Sequence, residues 1–188
     1  SFSEKLQEPS TTPTDVGRAI VQANRQINLL LERRFSPSDV YQQVGVAIRY
    51  AASLLGQFPG ATLMPKGPSI ERGKQPADVF LRLVECYERL ESMAHQSGIP
   101  ILHLDSTVAK QVVLDMEVRP SDVYDMATLL VSDLAYLHAQ VRGARPPGIV
   151  PFPGRKFPSD VYQETGILGA QLIALEQFVL ANPHWLDR

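Results

Sequence analysis

The chain of 188 residues contains a single cysteine, four histidines and one tryptophan. A lone thiol, Cys86, excludes an intramolecular disulfide and any zinc site built from several cysteines. It lies between Glu85 and Tyr87 in a helical pattern, where a free thiol near the core is the ordinary reading. His95, His103, His138 and His184 are scattered, with no Glu-x-x-His pair of the diiron type. Glu91 and His95, four residues apart, read as a helix-surface pair. There is no Cys-x-x-Cys-His haem attachment, no Gly-Lys-Ser/Thr phosphate loop and no Gly-x-Ser-x-Gly elbow. No metal and no cofactor are therefore expected.

Charge of either sign is also scarce in excess. Eighteen Lys and Arg face twenty Asp and Glu, a formal net charge of -2. Such a chain has no general attraction to nucleic acid or to anionic membranes. No apolar run approaches the ~20 residues of a membrane span, and no basic-then-apolar leader is present. The first residue is Ser1 where a nascent chain has Met, so the chain is expected to be either a processed protein or an excised piece of a longer one; if a leader has been removed, a periplasmic or secreted location is expected.

What the chain has in abundance is one short phrase. Pro37-Ser38-Asp39-Val40-Tyr41 recurs as Pro76-Ala77-Asp78-Val79-Phe80, Pro120-Ser121-Asp122-Val123-Tyr124 and Pro158-Ser159-Asp160-Val161-Tyr162. Pro13-Thr14-Asp15-Val16-Gly17 is a fifth copy without the aromatic. Proline followed by Ser or Thr and then Asp starts helices, because proline needs no amide partner there and the short side chains accept orphan amides. Either Ser38 or Asp39 is the expected N-cap residue, and Ala77 in the third copy favours the aspartate. Val and the aromatic are expected to enter the interior at each start.

An apolar period of three and four follows each copy. It predicts helices over about 15–34, 38–57, 77–96, 121–141 and 159–181, with a short one at about 106–117, where the β-branched Val112-Val113 is the alternative signal of an extended piece. The first helix is expected to bury Val16, Ile20, Ala23, Ile27, Leu30 and Leu31. The short step through Phe35 and Ser36 predicts that it lies antiparallel beside the second. Residues 59–75 and 143–157 read as proline- and glycine-rich loops. The fold class is accordingly all-α: a single-domain bundle of about five long helices over 13–188 after a loose arm at 1–12. The irregular spacing of the prolines argues against a solenoid. Helices of about 30 Å and linkers that reach roughly 50 Å permit a parallel arrangement without requiring it.

The second and fifth copies are the closest pair, and each has a glycine, Gly45 or Gly166, eight residues after its proline. An internal duplication with pseudo-twofold symmetry is the economical expectation. Mid-helix glycine costs about 1 kcal/mol relative to alanine, so its recurrence points to close approach of another backbone or of a ligand. Two functional readings follow. The leading one is a non-catalytic binding or interaction module for a protein partner or a small acidic ligand, the latter drawn to the basic loops through Arg145 and Arg155. The alternative is a small-molecule sensor with an inter-helix pocket lined by Tyr41, Tyr162, Gly45 and Gly166. An enzyme using the motif carboxylates stands third, because an aspartate at a helix N-terminus keeps its charge and makes a poor general acid. No catalytic residue is assigned.

Overall fold

A computed structural model describes residues 12–31 and 34–187, apart from the Asp187 side chain. The described residues are helical and contain no strand: α1 (Pro13–Leu30), α2 (Pro37–Leu55), α3 (Pro76–Gln96), α4 (Ser106–Asp115), α5 (Pro120–Ala139) and α6 (Pro158–Ala181), followed by a 3-10 turn at Trp185–Asp187. The arm expected at 1–12 lies outside the described residues except for Thr12.

Each long helix starts with its motif proline at the first helical position, and the motif aspartate falls two residues later. The N-cap is the residue before the proline, neither the serine nor the aspartate of the motif. The carboxylate instead reaches back to the cap amide: Thr12, Ser36, Gln75, Arg119 and Phe157 donate their N–H to Asp15, Asp39, Asp78, Asp122 and Asp160 at 2.7–2.9 Å. This geometry needs only a backbone amide at the cap, which is why Gln75, Arg119 and Phe157 serve there as well as Thr12 and Ser36, whose hydroxyls also accept the Asp15 and Asp39 amides.

Helices α2, α3, α5 and α6 form the body. Neighbours run in the ring α2, α6, α3, α5 and back to α2, so α2 faces α3 across the centre and α5 faces α6. Pro37, Pro76, Pro120 and Pro158, with Val40, Val79, Val123 and Val161, line one cavity of about 20 Å³. All four N-termini therefore meet at one end, and the four helices are parallel. At the opposite end Phe58 stacks on Phe178 with centroids 5.1 Å apart and touches Trp185, whose Nε1 donates to Ser97 Oγ at 3.0 Å.

A common start puts residues of equal offset from the proline at equal height. Above the valine layer come Val44, Leu83, Ala127 and Thr165; then Ala47, Cys86, Leu130 and Leu168; then Ala51, Leu90, Leu134 and Leu172; then Leu54, Met93, Leu137 and Leu175, all buried. The steps alternate four and three residues, the spacing of a coiled-coil seam. Small side chains in the third layer, Ala47 and Cys86, sit diagonally across from each other, and the two leucines fill the other diagonal.

Parallel neighbours require long returns. The chain crosses from α2 to α3 along the outside of α6, and from α5 to α6 along the outside of α2. Lys74 N–H donates to Ser159 Oγ at 3.2 Å and Lys156 N–H donates to Ser38 Oγ at 2.9 Å. Gln163 Nε2 donates to the Pro68 carbonyl at 2.9 Å and Gln42 Nε2 to the Val150 carbonyl at 2.8 Å. The two returns thus use matching positions of the α6 and α2 copies.

Three sequence expectations are corrected. The motif valines are buried, but Tyr41, Phe80, Tyr124 and Tyr162 are half-buried at the helix seams, because the residue after each inward valine is turned about 100° away from the centre. The apolar stripe of α1 is not buried: Ile20 is 56% and Leu30 83% exposed. Nor does α1 pack beside α2; it lies on α4 and α5. Both flanks of α2 are occupied by α5 and α6, so a short connection brings the two ends together without making the helices packing partners.

Candidate interaction surface

The motif aromatics close the body at its seams. Tyr41 Oη donates to Glu164 of α6 at 3.1 Å, and Gln43 Nε2 of α2 donates to Tyr124 Oη of α5 at 3.2 Å. The Arg82 guanidinium of α3 lies over the Tyr162 ring, 3.7 Å from its centroid, and donates to the Tyr162 carbonyl at 2.8 Å. In each case the partner sits six residues after the proline of the next helix. Sequence reasoning singled out the aromatics but missed Glu164, Gln43 and Arg82, which share an offset that only the ring order makes meaningful. Burial raises the Tyr41 phenol to about 12, with the Glu164 carboxylate adding to the shift, and burial raises the Glu164 carboxyl as well.

Gly45 and Gly166 are where the returning loops press on the helices. A β-carbon on Gly45 would lie 3.2 Å from Val150 Cγ1; one on Gly166 would lie 2.6 Å from Pro68 Cγ and 3.1 Å from Arg82 Nη1. Tyr41, Tyr162, Gly45 and Gly166 therefore stand against loop residues and neighbouring helices. The basic loop residues are divided in the same way. Lys156 lies over Tyr41 at 4.5 Å and Lys74 over Tyr162 at 4.2 Å. Arg155 rests on the Phe157 ring at 5.1 Å, at the proline end. Arg145 is exposed in the stretch before Gly148, whose carbonyl accepts from Arg49 in the middle of α2 at 3.0 Å. Arg145 and Arg155 thus lie at different heights along the bundle.

Among the titratable groups, burial pushes the Cys86 thiol up to about 12, which leaves it protonated and unreactive at neutral pH. His138 is buried with Nε2 2.8 Å from Ser53 Oγ, and burial holds its pKa below the usual value. His103 is exposed and paired with Glu91, whose carboxylate raises the His103 pKa. Among the described residues no group of three or more His, Cys, Asp and Glu is placed to hold a metal ion, and no helix is long and apolar enough to cross a membrane.

Helix α1 differs from the rest. Its inner face is held by ion pairs: Arg18 with Asp115 at the end of α4, and Arg25 with Asp122 through Nε at 3.0 Å and Nη2 at 2.6 Å. The Arg25 Nη2 also donates to the Glu117 carbonyl at 2.5 Å. Gly17 lets α1 approach α4 closely, since a β-carbon there would sit 2.9 Å from Val108 Cγ1. Beside this contact runs a groove of about 480 Å³ lined by Val16, Ile20, Phe80, Leu104, Val108 and Val112 among others. The face of α1 turned away from the body carries Ala23, Ile27 and Leu30, and it continues into Val16 and Ile20 at the rim of the groove; all five are exposed. Comparison of the chain with protein-family models, with curated proteins and with solved structures finds no match.

Proposed function

We propose that this chain is a non-catalytic interaction module whose four-helix body is a closed support and whose α1 helix is the docking element. The observation that carries the reading is the exposed apolar face of α1 on a helix fixed in place by two ion pairs. An ordered amphipathic helix with its apolar side in water is a surface awaiting a partner. The five Pro-x-Asp-Val starts are, on this reading, copies of one helix unit, with α2 and α6 the nearest relatives. The test is quantitative affinity capture with the intact chain and with Ile20→Glu plus Ile27→Glu. The proposal expects specific partners with the first and their loss with the second; identical capture by both removes α1 as the docking element.

A second reading is supported by the groove between α1, α3 and α4, whose size is that of a small-ligand site. In that case a metabolite screen by thermal shift gives a concentration-dependent rise. Val108→Trp, which fills the groove, should abolish the rise.

A further inference from the structure

Counted from its own proline, α1 has the same stripe as the bundle helices. Val16, Ile20, Ala23, Ile27 and Leu30 stand at the offsets of Val40, Val44, Ala47, Ala51 and Leu54 in α2. In the four body helices those offsets form the buried interior; in α1 they face water. The steps of four, three, four and three residues are those of a coiled-coil seam, so the complement of this face is another helix with the same period.

We infer that the α1 seam pairs with the α1 seam of a second copy of this chain, an inference that rests on the reading of α1 as a docking element. The first reason is that in this protein such seams associate with their own kind, in parallel and in register at the prolines. Charge is the second reason. The positions flanking the seam, Gly17, Ala19, Asn24, Gln26 and Leu31, carry no charge, so nothing repels an identical helix and nothing selects a partner of opposite sign. The third is area. Val16, Ile20, Ile27, Leu30 and Leu31 are 49–83% exposed, which leaves roughly 500 Å² of apolar surface on one copy. Two copies then bury roughly 1,000 Å², the lower limit of a specific interface. A self-complementary face of this kind closes into a twofold dimer without leading to a filament.

Ala23 is the middle residue of the stripe, so it meets its own counterpart whether the two helices run parallel or antiparallel. The buried Cys86 does not compete in thiol chemistry. The experiment uses the full chain at rising concentration, with mass measured by light scattering, alongside oxidative cross-linking of Ala23→Cys and of Gln22→Cys, which lies off the seam. The expected result is a concentration-dependent doubling of mass, covalent dimer from Ala23→Cys well above Gln22→Cys, and loss of both signals on adding Ile20→Glu and Ile27→Glu. A monomer at every concentration with equal cross-linking at both positions overturns the inference. So does a monomer that dimerises only after residues 1–11 are removed, which assigns the seam to the chain's own N-terminal segment. If the chain stays monomeric while affinity capture still finds a different protein lost with the Ile20 and Ile27 changes, self-pairing fails and the interaction reading stands. If capture is also unchanged, both fail.

Discussion

At the scale of single residues, His138 is a buried group whose protonation matters near neutral pH. Its imidazole is buried against Ser53 and edge-on to Tyr50, with ring centroids 5.4 Å apart. Burial depresses its pKa from the ordinary 6.5. The unfolded chain then accepts a proton that the folded protein resists, so the stability contribution is complete above about pH 6.5 and is lost as pH falls below it. His103 acts in the opposite sense, because Glu91 favours its proton, but it is fully exposed and screened by salt. Asp125 and Glu164, both raised by burial, also oppose the trend. The comparison that isolates His138 is therefore between the native chain and His138→Gln. Between about pH 7 and pH 5.5 the urea midpoint of the native chain should fall more steeply than that of the variant. Parallel curves would show that the buried imidazole is not the cause.

At the scale of elements, two contacts decide how helices and loops are placed. The first anchors α1: Asp122 is buried at the start of α5, caps Arg119 and receives two bonds from Arg25. Arg25→Ala leaves that carboxylate without its cation and should cost about 3 kcal/mol in chemical denaturation. Arg25→Lys should recover only part of this, since a lysine cannot make the two-pronged contact. The second is the seating of the returning loops on glycine. Alanine in a helix gains about 1 kcal/mol over glycine where space allows. At Gly45 the added methyl meets one valine methyl at 3.2 Å, a contact that small shifts relieve. At Gly166 it would lie 2.6 Å from the Pro68 ring, which cannot rotate away. Gly45→Ala is expected to be near neutral, whereas Gly166→Ala should be destabilising and should speed proteolytic cleavage within residues 59–75. Equal effects at the two sites would contradict this account of the loops.

At the scale of the whole molecule, the bundle is parallel, so four helix dipoles add at one end. The four body aspartates at that end offset the clustered positive termini, each by about 0.3–1 kcal/mol. Leu134 and Leu172 share the fourth layer with Ala51 and Leu90, all with no exposure. Leu134→Ala should lower stability by about 2–5 kcal/mol, and Leu134→Ala with Leu172→Ala should depart from the sum because both open the same space. Additive losses in a double-mutant cycle would mean that the layers do not share a common cavity.

By itself the sequence determined the all-helical class, the helix starts to within about two residues and the interior stripes of the four body helices, because capping and apolar periodicity are local properties carried by neighbouring residues. It carried Tyr41, Tyr162, Gly45 and Gly166 as distinctive positions, yet not their partners, because Glu164, Arg82, Val150 and Pro68 are remote in the chain. Only the tertiary structure decided which stripe stays in water. All five helices carry the same seam, but a ring of four closes around its centre and leaves no place for a fifth. A parallel member needs a return of about 30 Å, whereas residues 31–36 span roughly 20 Å at most. Helix α1 is thus excluded from the ring by the length of its connection, and its seam is left facing outward.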